Sequence, residues 1–421
     1  MFHKTTLKNG LRVITVPMKD VRSVTVLVLV GTGSKYETRE INGLSHFLEH
    51  VMFKGTKKRP TALQISTELD RVGAEHNAFT GDERTGYWVK ADFNHLDLAL
   101  DIVSDILLNS TFNPKEIERE RGVIIEEINM YNDMPSHYTG VLFDRLLYGD
   151  QPAGWEILGK KEVISKLKRP ELVQYFHNQY VADNIVVTVA GKFDEKNILN
   201  KIEHYFSKIR KGEPKSKAPV IEKQSKPENL IFYKKTEQTH FCLGVRAYNV
   251  FDPRKYALSV LSSILGGSMS SRLWVTIREK KGLAYYIGSM VDNSSDTGFL
   301  AVRAGVNNEK VKDAIVAILR EFRLVRDKGV TAEELKKAKD YFKGKMLLAF
   351  ESSDDWAEFV GEQEIALNKI LKPEQILRKI NAVSRKDILR VARDIFHPSK
   401  LNLALIGPLK DDREFQKLLK I

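Results

Sequence analysis

The alternation of apolar and polar positions predicts strands followed by helices in the first third of the chain. Two β-branched stretches bounded by turn residues, LRVITVPM (11–18) and SVTVLVLVGTGS (23–34), are typical of strands. Residues 74–92 predict a hairpin that turns at TGDERTG. Thr61 and Gly73 suit the start and the end of a helix. The predicted helices cover 42–54, 61–73, 95–110 and 113–133.

The same order of elements returns in the second half of the chain. Strands are predicted within 230–247, a helix over 252–267, a hairpin over 283–306, and two helices over 309–329 and 331–350. A repeat of about 200 residues is too long for a solenoid unit and indicates two copies of one domain. Strands and helices mix without strict alternation, so we expect an α+β fold. Each copy would be a mainly antiparallel sheet with helices packed on one side.

The length of 421 residues suits two domains better than a single core. We expect an N-terminal domain over 1–210, a linker over 211–229 and a homologous C-terminal domain over 230–421. The linker prediction depends on KGEPKSKAPVIEKQSKPEN, the densest cationic run. The net charge of +12 does not indicate nucleic-acid binding, because the basic residues are dispersed and are not interleaved with aromatic ones.

Cysteine usage and hydropathy exclude further classes of protein. Cys242 is the only cysteine, so the chain can form neither an internal disulfide nor a cysteine-based zinc site. The N-terminal MFHKTTLKNGLRVITV lacks the basic and then apolar order of a signal peptide. The run VTVLVLV is too short to cross a bilayer. We therefore expect a cytoplasmic protein with no membrane insertion.

The segment SHFLEHVMFKGT (45–56) carries the first candidate chemistry. His46 and His50 lie four residues apart, so on a helix both imidazoles lie on one face and can share one Zn²⁺. Glu49 lies on an adjoining part of that face, where it suits a proton acceptor better than a third ligand. The composition gives about 0.03 chance matches to this pattern in the chain. The alternative is a pair of histidines that only form hydrogen bonds on a helix surface.

A catalytic zinc site needs a third protein ligand, and the acidic helix after the hairpin offers one. Glu120 and Glu127 share a helical face with Val123 and Ile124. Carboxylates on a partly apolar face need a partner, since unpaired buried charge is costly. We interpret Glu127 as the third ligand and Glu120 as the carboxylate that orients a histidine or the ligand itself. Glu126 lies on another face, which suits a solvated side chain.

Several motifs together resemble the pitrilysin family of metallopeptidases, whose HxxEH sequence is the inverted zincin motif. In chain order they are GLSHFLEHVMFKGT, GAEHNAFTGDERTGYWVKA, ERGVIIEEI, LGGSMSSRL and REKKGLAY. Two repeats of this size look like the short bacterial and mitochondrial-processing-peptidase branch of that family. The resemblance implies that His46, His50 and Glu127 bind zinc and that Glu49 is the general base.

The resemblance also implies roles outside the histidine helix. Arg278 and Tyr285 match the family's Arg–Tyr pair, which holds substrate and stabilises the tetrahedral oxyanion. Asn77 and Ala78 match the edge strand that receives the peptide by β-augmentation. LGGSMSSRL resembles the glycine-rich loop of the processing peptidase's noncatalytic subunit. For these glycines both a flexible substrate-contacting loop and a helix cap stay open.

We therefore expect a zinc metalloendopeptidase that hydrolyses peptides or short unfolded segments with zinc-activated water and a glutamate general base. The family encloses a chamber with four such domains, and one chain here carries the zinc ligands, the Arg–Tyr pair and the glycine loop together. We expect a homodimer that forms this four-domain chamber, in which each site takes Arg278 and Tyr285 from the other subunit. The alternatives are a noncatalytic core or assembly subunit and a narrow presequence-processing peptidase.

Overall fold

The computed structural model describes residues 2–421. Its strands are β1 (His3–Thr6), β2 (Arg12–Pro17), β3 (Ser23–Val30), β4 (Glu75–Thr80), β5 (Thr85–Asp92), β6 (Ile185–Gly191), β7 (Glu228–Tyr233), β8 (Gln238–Arg246), β9 (Ala284–Asn293), β10 (Gly298–Asn307) and β11 (Leu401–Gly407). Its α-helices are α1 (Leu44–Met52), α2 (Ala62–Asp70), α3 (Leu96–Asn109), α4 (Pro114–Asn132), α5 (Pro135–Tyr148), α6 (Lys161–Ile164), α7 (Arg169–Gln179), α8 (Ile198–Phe206), α9 (Lys255–Gly266), α10 (Val311–Lys328), α11 (Ala332–Leu348), α12 (Ser353–Leu367), α13 (Pro373–Ala382), α14 (Arg385–Ile395) and α15 (Asp412–Leu418).

The predicted helices and hairpins of both halves are confirmed as α1–α4, β4–β5, α9–α11 and β9–β10. The predicted cap of α2 is also present, since the Thr61 hydroxyl accepts the Gln64 N–H at 3.3 Å. Gly73 after that helix adopts a positive φ of 65°, which favours glycine. Across residues 2–421, no helix has both the length and the apolar character needed to cross a membrane. The expected cytoplasmic location stays a prediction.

The chain forms two compact units that interleave along the sequence. The first unit contains the residues up to Ile128, then Trp155–Ala218 and Leu347–Ile370. The second contains Asn129–Gly154, Pro219–Met346 and Leu371–Ile421. These units differ from the continuous domains expected over 1–210 and 230–421. The difference arises because α5 packs on the second unit's sheet and α12 packs on the first unit's sheet.

The two sheets repeat one strand order. The first runs β1-β2-β6-β3-β5-β4 and the second runs β7-β11-β8-β10-β9. Only β2–β6 in the first sheet and β7–β11 in the second are parallel neighbours. Without β1, both sheets have the same order and the same directions. The predicted duplication of a mainly antiparallel α+β domain is therefore confirmed.

Strand β3 shows how the first sheet is buried on both faces. Its even-numbered valines, Val24 to Val30, belong to one core with α1, α3 and α4. Leu27 and Leu29 point to the opposite face and pack with residues of α12. The sequence predicts helices on one side of each sheet, and the structure adds a single helix on the other side. The continuous apolar run of β3 agrees with burial on both faces.

Candidate metal centre and active site

Helix α1 presents His46 and His50 on one face, one turn apart. Their ring centroids are 4.7 Å apart. His46 is buried, with 7% of its surface exposed, and His50 is half-buried. The other side of α1 enters the core of the first unit through Leu44, Phe47, Leu48 and Val51. Burial of that side fixes the rotation of α1 and directs both imidazoles away from the core.

A carboxylate from outside the helix fixes the N-terminus of α1. Glu37 accepts the N–H of Gly43 at 2.7 Å and the N–H of Ser45 at 2.6 Å, and it also accepts the Asn42 side chain at 3.1 Å. Burial raises the pKa of Glu37 to about 7, although these hydrogen bonds lower it. The Ser45 hydroxyl continues the network to the Tyr175 hydroxyl at 2.9 Å. Glu37 therefore caps the helix immediately before His46, a contact that the sequence analysis missed.

Helix α4 brings Glu127 to the two imidazoles. Its Oε2 lies 3.5 Å from His46 Nε2 and 3.3 Å from His50 Nε2. One potential ligand atom from each residue lies within 4.8 Å of the other two. In residues 2–421 this is the only such group of three His, Cys, Asp or Glu side chains. The structure thus brings together the three residues that the sequence predicts as metal ligands.

Glu120 lies seven residues, about two turns, before Glu127 on α4 and contacts the same histidine from the other side. Its Oε2 lies 3.2 Å from His50 Nδ1, and its Oε1 lies 2.9 Å from Lys54 Nζ. This contact leaves His50 Nε2 directed at Glu127. Burial lowers the pKa of His50, but the carboxylates of Glu120 and Glu127 outweigh it and raise the pKa to about 9. Burial and the neighbouring His50 lower the pKa of His46 to about 4.

The three side chains fit a zinc ion. Two imidazoles and one carboxylate are a common ligand set for catalytic zinc, with a position left for water or substrate. Tetrahedral bonds of about 2.1 Å place neighbouring ligand atoms about 3.4 Å apart, close to the two distances from Glu127 Oε2. That oxygen is buried and finds no hydrogen-bond donor of good geometry in residues 2–421. A metal ion bound between the three side chains would satisfy this buried oxygen.

Glu49 lies beside His50 on α1 and is outside the ligand set. Its Oε2 accepts the Thr80 hydroxyl of β4 at 2.6 Å. Burial raises the pKa of Glu49, although the Thr80 hydrogen bond and the charge of His50 oppose this shift. Thr80 was not singled out from the sequence. The alternation of EHNAFT could have indicated it, because positions 76, 78 and 80 of a strand share one face.

Strand β4 is an edge strand, since β5 is its single neighbour in the sheet. The exposed Asn77 folds its side chain back, and its Oδ1 accepts the N–H of Ala78 at 2.9 Å. Ala78 itself packs against the core, and the His76 ring lies 5.7 Å from the Phe53 ring. The outer edge of β4 can therefore pair with an extended chain once the Asn77 side chain releases Ala78.

Arg278 and Tyr285 lie in the second unit, next to each other. Arg278 belongs to a π-helical segment, Trp274–Lys280, and Tyr285 lies at the start of β9. The guanidinium carbon of Arg278 is 4.1 Å from the ring centroid of Trp274 and 5.8 Å from that of Tyr285. Tyr285 is 72% exposed. Within the described chain the Arg278 side chain makes no hydrogen bond or ion pair, so its donors stay free.

The glycines of LGGSMSSRL have structural roles. A Cβ on Gly266 would lie 2.4 Å from the backbone nitrogen of Ser289, so the end of α9 can approach β9 only as glycine. Gly267 is the C-cap residue of α9. This geometry favours the helix-cap interpretation for these two positions.

Two family models and a curated relative match most of the chain. A family model described as insulinase (peptidase family M16) matches residues 12–159, and one described as the peptidase M16 inactive domain matches residues 166–342. An uncharacterized zinc protease of Bacillus subtilis is 37% identical over 409 residues, which are 97% of this chain and 98% of the relative.

Solved structures resemble the chain in fold. A protease from Helicobacter pylori superimposes with a TM-score of 0.90 at 24% identity, over 97% of this chain and 100% of that one. A chain of complex III2 from Candida albicans superimposes with a TM-score of 0.86 at 17% identity, over 100% of both chains. At these identities the likeness concerns the arrangement of helices and strands.

Proposed function

The chain belongs to peptidase family M16, and on that premise we propose that it is a zinc-dependent metalloendopeptidase of peptides and short unfolded segments. One observation carries the proposal: the ligand atoms of His46, His50 and Glu127 converge beside Glu49, a carboxylate outside the ligand set. Zinc proteases among the relatives support the same class of reaction.

In this proposal the ligand set consists of His46 Nε2, His50 Nε2 and Glu127. Glu120 holds His50 in the tautomer that leaves Nε2 unprotonated, through the 3.2 Å contact with Nδ1. Zinc bound there supplies a Lewis acid that polarises the scissile carbonyl and lowers the pKa of water. Two neutral imidazole donors and one carboxylate are a ligand set that suits catalytic zinc.

Glu49 is the proposed general base. Its carboxylate takes a proton from the attacking water and later gives it to the leaving amine. Both transfers need a pKa between that of an ordinary glutamate and neutrality, and burial shifts the pKa of Glu49 upward in that direction. The position next to His50 keeps this carboxylate close to the ligand set without entering it.

The remaining predicted residues bind substrate in the proposal. The edge of β4 at Asn77 and Ala78 pairs with the extended peptide, and Arg278 and Tyr285 donate to the oxyanion. We further propose a homodimer in which two chains provide four homologous domains around a chamber. This proposal depends on the sequence, because one chain carries both the ligand set and the Arg–Tyr pair.

A noncatalytic core or assembly subunit is the second candidate. The observation in its favour is the fold likeness to a chain of complex III2. A set of three potential ligands with an adjacent carboxylate is unnecessary in such a subunit, which weighs against it. A narrow presequence-processing peptidase would use the same site and differs from the main proposal only in substrate range.

Metal analysis together with peptide cleavage tests the proposal. We expect the purified chain to hold about one zinc per chain and to cleave a quenched peptide. A chelator should remove both the zinc and the cleavage, and added zinc should restore them. A chain that binds no zinc at its three predicted ligands and cleaves no peptide would support the noncatalytic candidate instead.

A further inference from the structure

Thr80 contacts the carboxylate of Glu49, and none of the motifs assigns it a role. We propose that Thr80 is a positioning residue that holds Glu49 in one orientation for proton transfer. This inference rests on the proposed function, since it assumes that Glu49 is the general base. It concerns the orientation of the carboxylate.

The geometry of the contact is specific. The Thr80 hydroxyl donates to Glu49 Oε2 at 2.6 Å across 31 residues of sequence. In residues 2–421 it is the single side-chain hydrogen bond of the Glu49 carboxylate. Hydrogen bonds to a charged oxygen are short and strong, so one oxygen of Glu49 is fixed by Thr80. The other oxygen, Oε1, stays available for a proton.

The pairing of β4 with β5 holds the Thr80 hydroxyl in place. Thr80 is the last residue of β4 and pairs with the fully buried Thr85 of β5. On the same face of β4, Ala78 packs into the core and His76 approaches Phe53 at the end of α1. The strand therefore fixes the distance between the Thr80 hydroxyl and α1. A donor on a rigid strand orients a catalytic side chain better than one on a loop.

A glutamate without this contact would lose its fixed direction. Glu49 has three rotatable side-chain bonds, and on the half-exposed face of α1 its carboxylate would sample several rotamers. General-base catalysis requires the carboxylate within hydrogen-bond reach of the water proton. The fraction of productive orientations then enters kcat directly, whereas peptide binding at the β4 edge uses backbone groups and is unchanged.

The test compares Thr80→Val with Thr80→Ser. Valine removes the hydroxyl and keeps the β-branched shape that β4 prefers, and serine keeps the hydroxyl. We expect Thr80→Val to lower kcat about 10- to 100-fold, with KM within about twofold of wild type, because a hydrogen bond to a charged group is lost. Zinc per chain and the melting temperature should equal those of wild type. Thr80→Ser should keep kcat within about threefold of wild type.

Three outcomes would overturn the inference. The first is a Thr80→Val chain with wild-type kcat. The second is a Thr80→Ser chain as slow as Thr80→Val, which would show that the hydroxyl alone does not maintain kcat. The third applies if Thr80→Val loses zinc or thermal stability, and it is a Thr80→Ala chain with full zinc content and wild-type kcat. Wild-type activity in Glu49→Gln would instead contradict the proposed function, so the two failures are distinguishable.

Discussion

His50 contacts both acidic side chains that helix α4 brings to the site. Its Nδ1 faces Glu120 and its Nε2 faces Glu127, with contacts of 3.2 and 3.3 Å. A ring held at both nitrogens cannot rotate to present the wrong nitrogen to a metal. Lys54 in turn holds Glu120 through its other oxygen at 2.9 Å. The orientation of His50 Nε2 thus depends on Glu120 and Lys54, which lie outside the proposed ligand set.

This dependence predicts the effect of Glu120→Gln. Because the amide holds His50 less strongly than the carboxylate, we expect zinc affinity to fall about 10- to 100-fold. Competition against a chelator of known affinity measures the change. Glu126→Gln on the exposed face of the same helix is the matched control and should leave the affinity unchanged. Equal affinities in Glu120→Gln and wild type would contradict the assigned role.

The buried Glu37 carboxyl should make part of the free energy of unfolding depend on pH. The pKa of Glu37 is about 7 in the folded chain, compared with an ordinary value of 4.5, because burial disfavours the charged form. The folded chain therefore holds this proton more tightly than the unfolded chain does. The contribution to stability is complete below about pH 4.5 and is lost as the pH rises through about 7.

We expect this loss to reach about 3 kcal/mol between pH 4.5 and 8. Denaturant unfolding of the zinc-free chain at several pH values measures it. Glu37→Gln cannot ionise, so the difference in unfolding free energy between wild type and Glu37→Gln should change by that amount over the same range. A difference that is independent of pH would contradict the assignment.

Residue patterns predicted that His46, His50 and Glu127 come together, but they did not predict the contacts that support these side chains. His46, Glu49 and His50 lie within one helical turn, and the shared face of Glu120 and Glu127 follows from helical spacing. Glu37 and Thr80 reach α1 from eight and 31 residues away through turns and a sheet edge. Such contacts depend on tertiary structure, which spacing along the chain does not determine.

At the scale of elements, the π-helical segment Trp274–Lys280 places Arg278 over the ring of Trp274. The Arg278 guanidinium lies over the face of Trp274, and the Trp274 indole N–H donates to Glu279 at 3.1 Å. An arginine held by a ring face keeps its N–H donors available for a ligand. Trp274 therefore orients the arginine to which the family resemblance gives the role of oxyanion donor.

Replacing Trp274 should weaken catalysis through Arg278. We expect Trp274→Leu to lower kcat/KM about 3- to 30-fold, and Trp274→Phe, which keeps a ring, to have a smaller effect. In an Arg278→Ala background, Trp274→Leu should have no further effect, because the partner is already absent. Additive losses in this double-mutant cycle would show that Trp274 acts independently of Arg278.

The sequence pattern did not predict helix α12. Its contact face carries small residues and one buried acid: Gly361 lies against Leu29 and Thr188, and Glu364 is fully buried with Arg12 at 3.2 Å. A glutamate on the inner face breaks the apolar periodicity that marks a core helix. The partner sheet is also distant along the chain, so the interleaved units could not be expected from the order of elements.

At the scale of the whole molecule, two copies of one topology have diverged. Helix α9 follows β8 as α1 follows β3, yet KYALSVLSSILG contains no histidine. Strand β9 occupies the edge position that β4 has in the first sheet, and it starts beside Arg278 and Tyr285. The proposed ligand set and the Arg–Tyr pair therefore belong to different copies of the same domain.

The proposed homodimer predicts complementation between two inactive chains. Glu49→Gln and Arg278→Ala should each be nearly inactive alone. In an equal mixture that exchanges subunits, half of the dimers are mixed and each has one intact site, so about a quarter of wild-type activity should return. Mixing with the double variant is the control and should restore nothing. A mixture that stays inactive after subunit exchange would exclude sites shared between subunits.

The most direct test of the account is the rate of peptide cleavage by Glu49→Gln at full zinc content. Glu49 faces Thr80 and is not one of the three ligands, so the variant should bind zinc as wild type does. Removal of a general base should lower kcat by about 10²- to 10⁴-fold. Cleavage at the wild-type rate by the zinc-loaded Glu49→Gln chain would contradict the proposed mechanism.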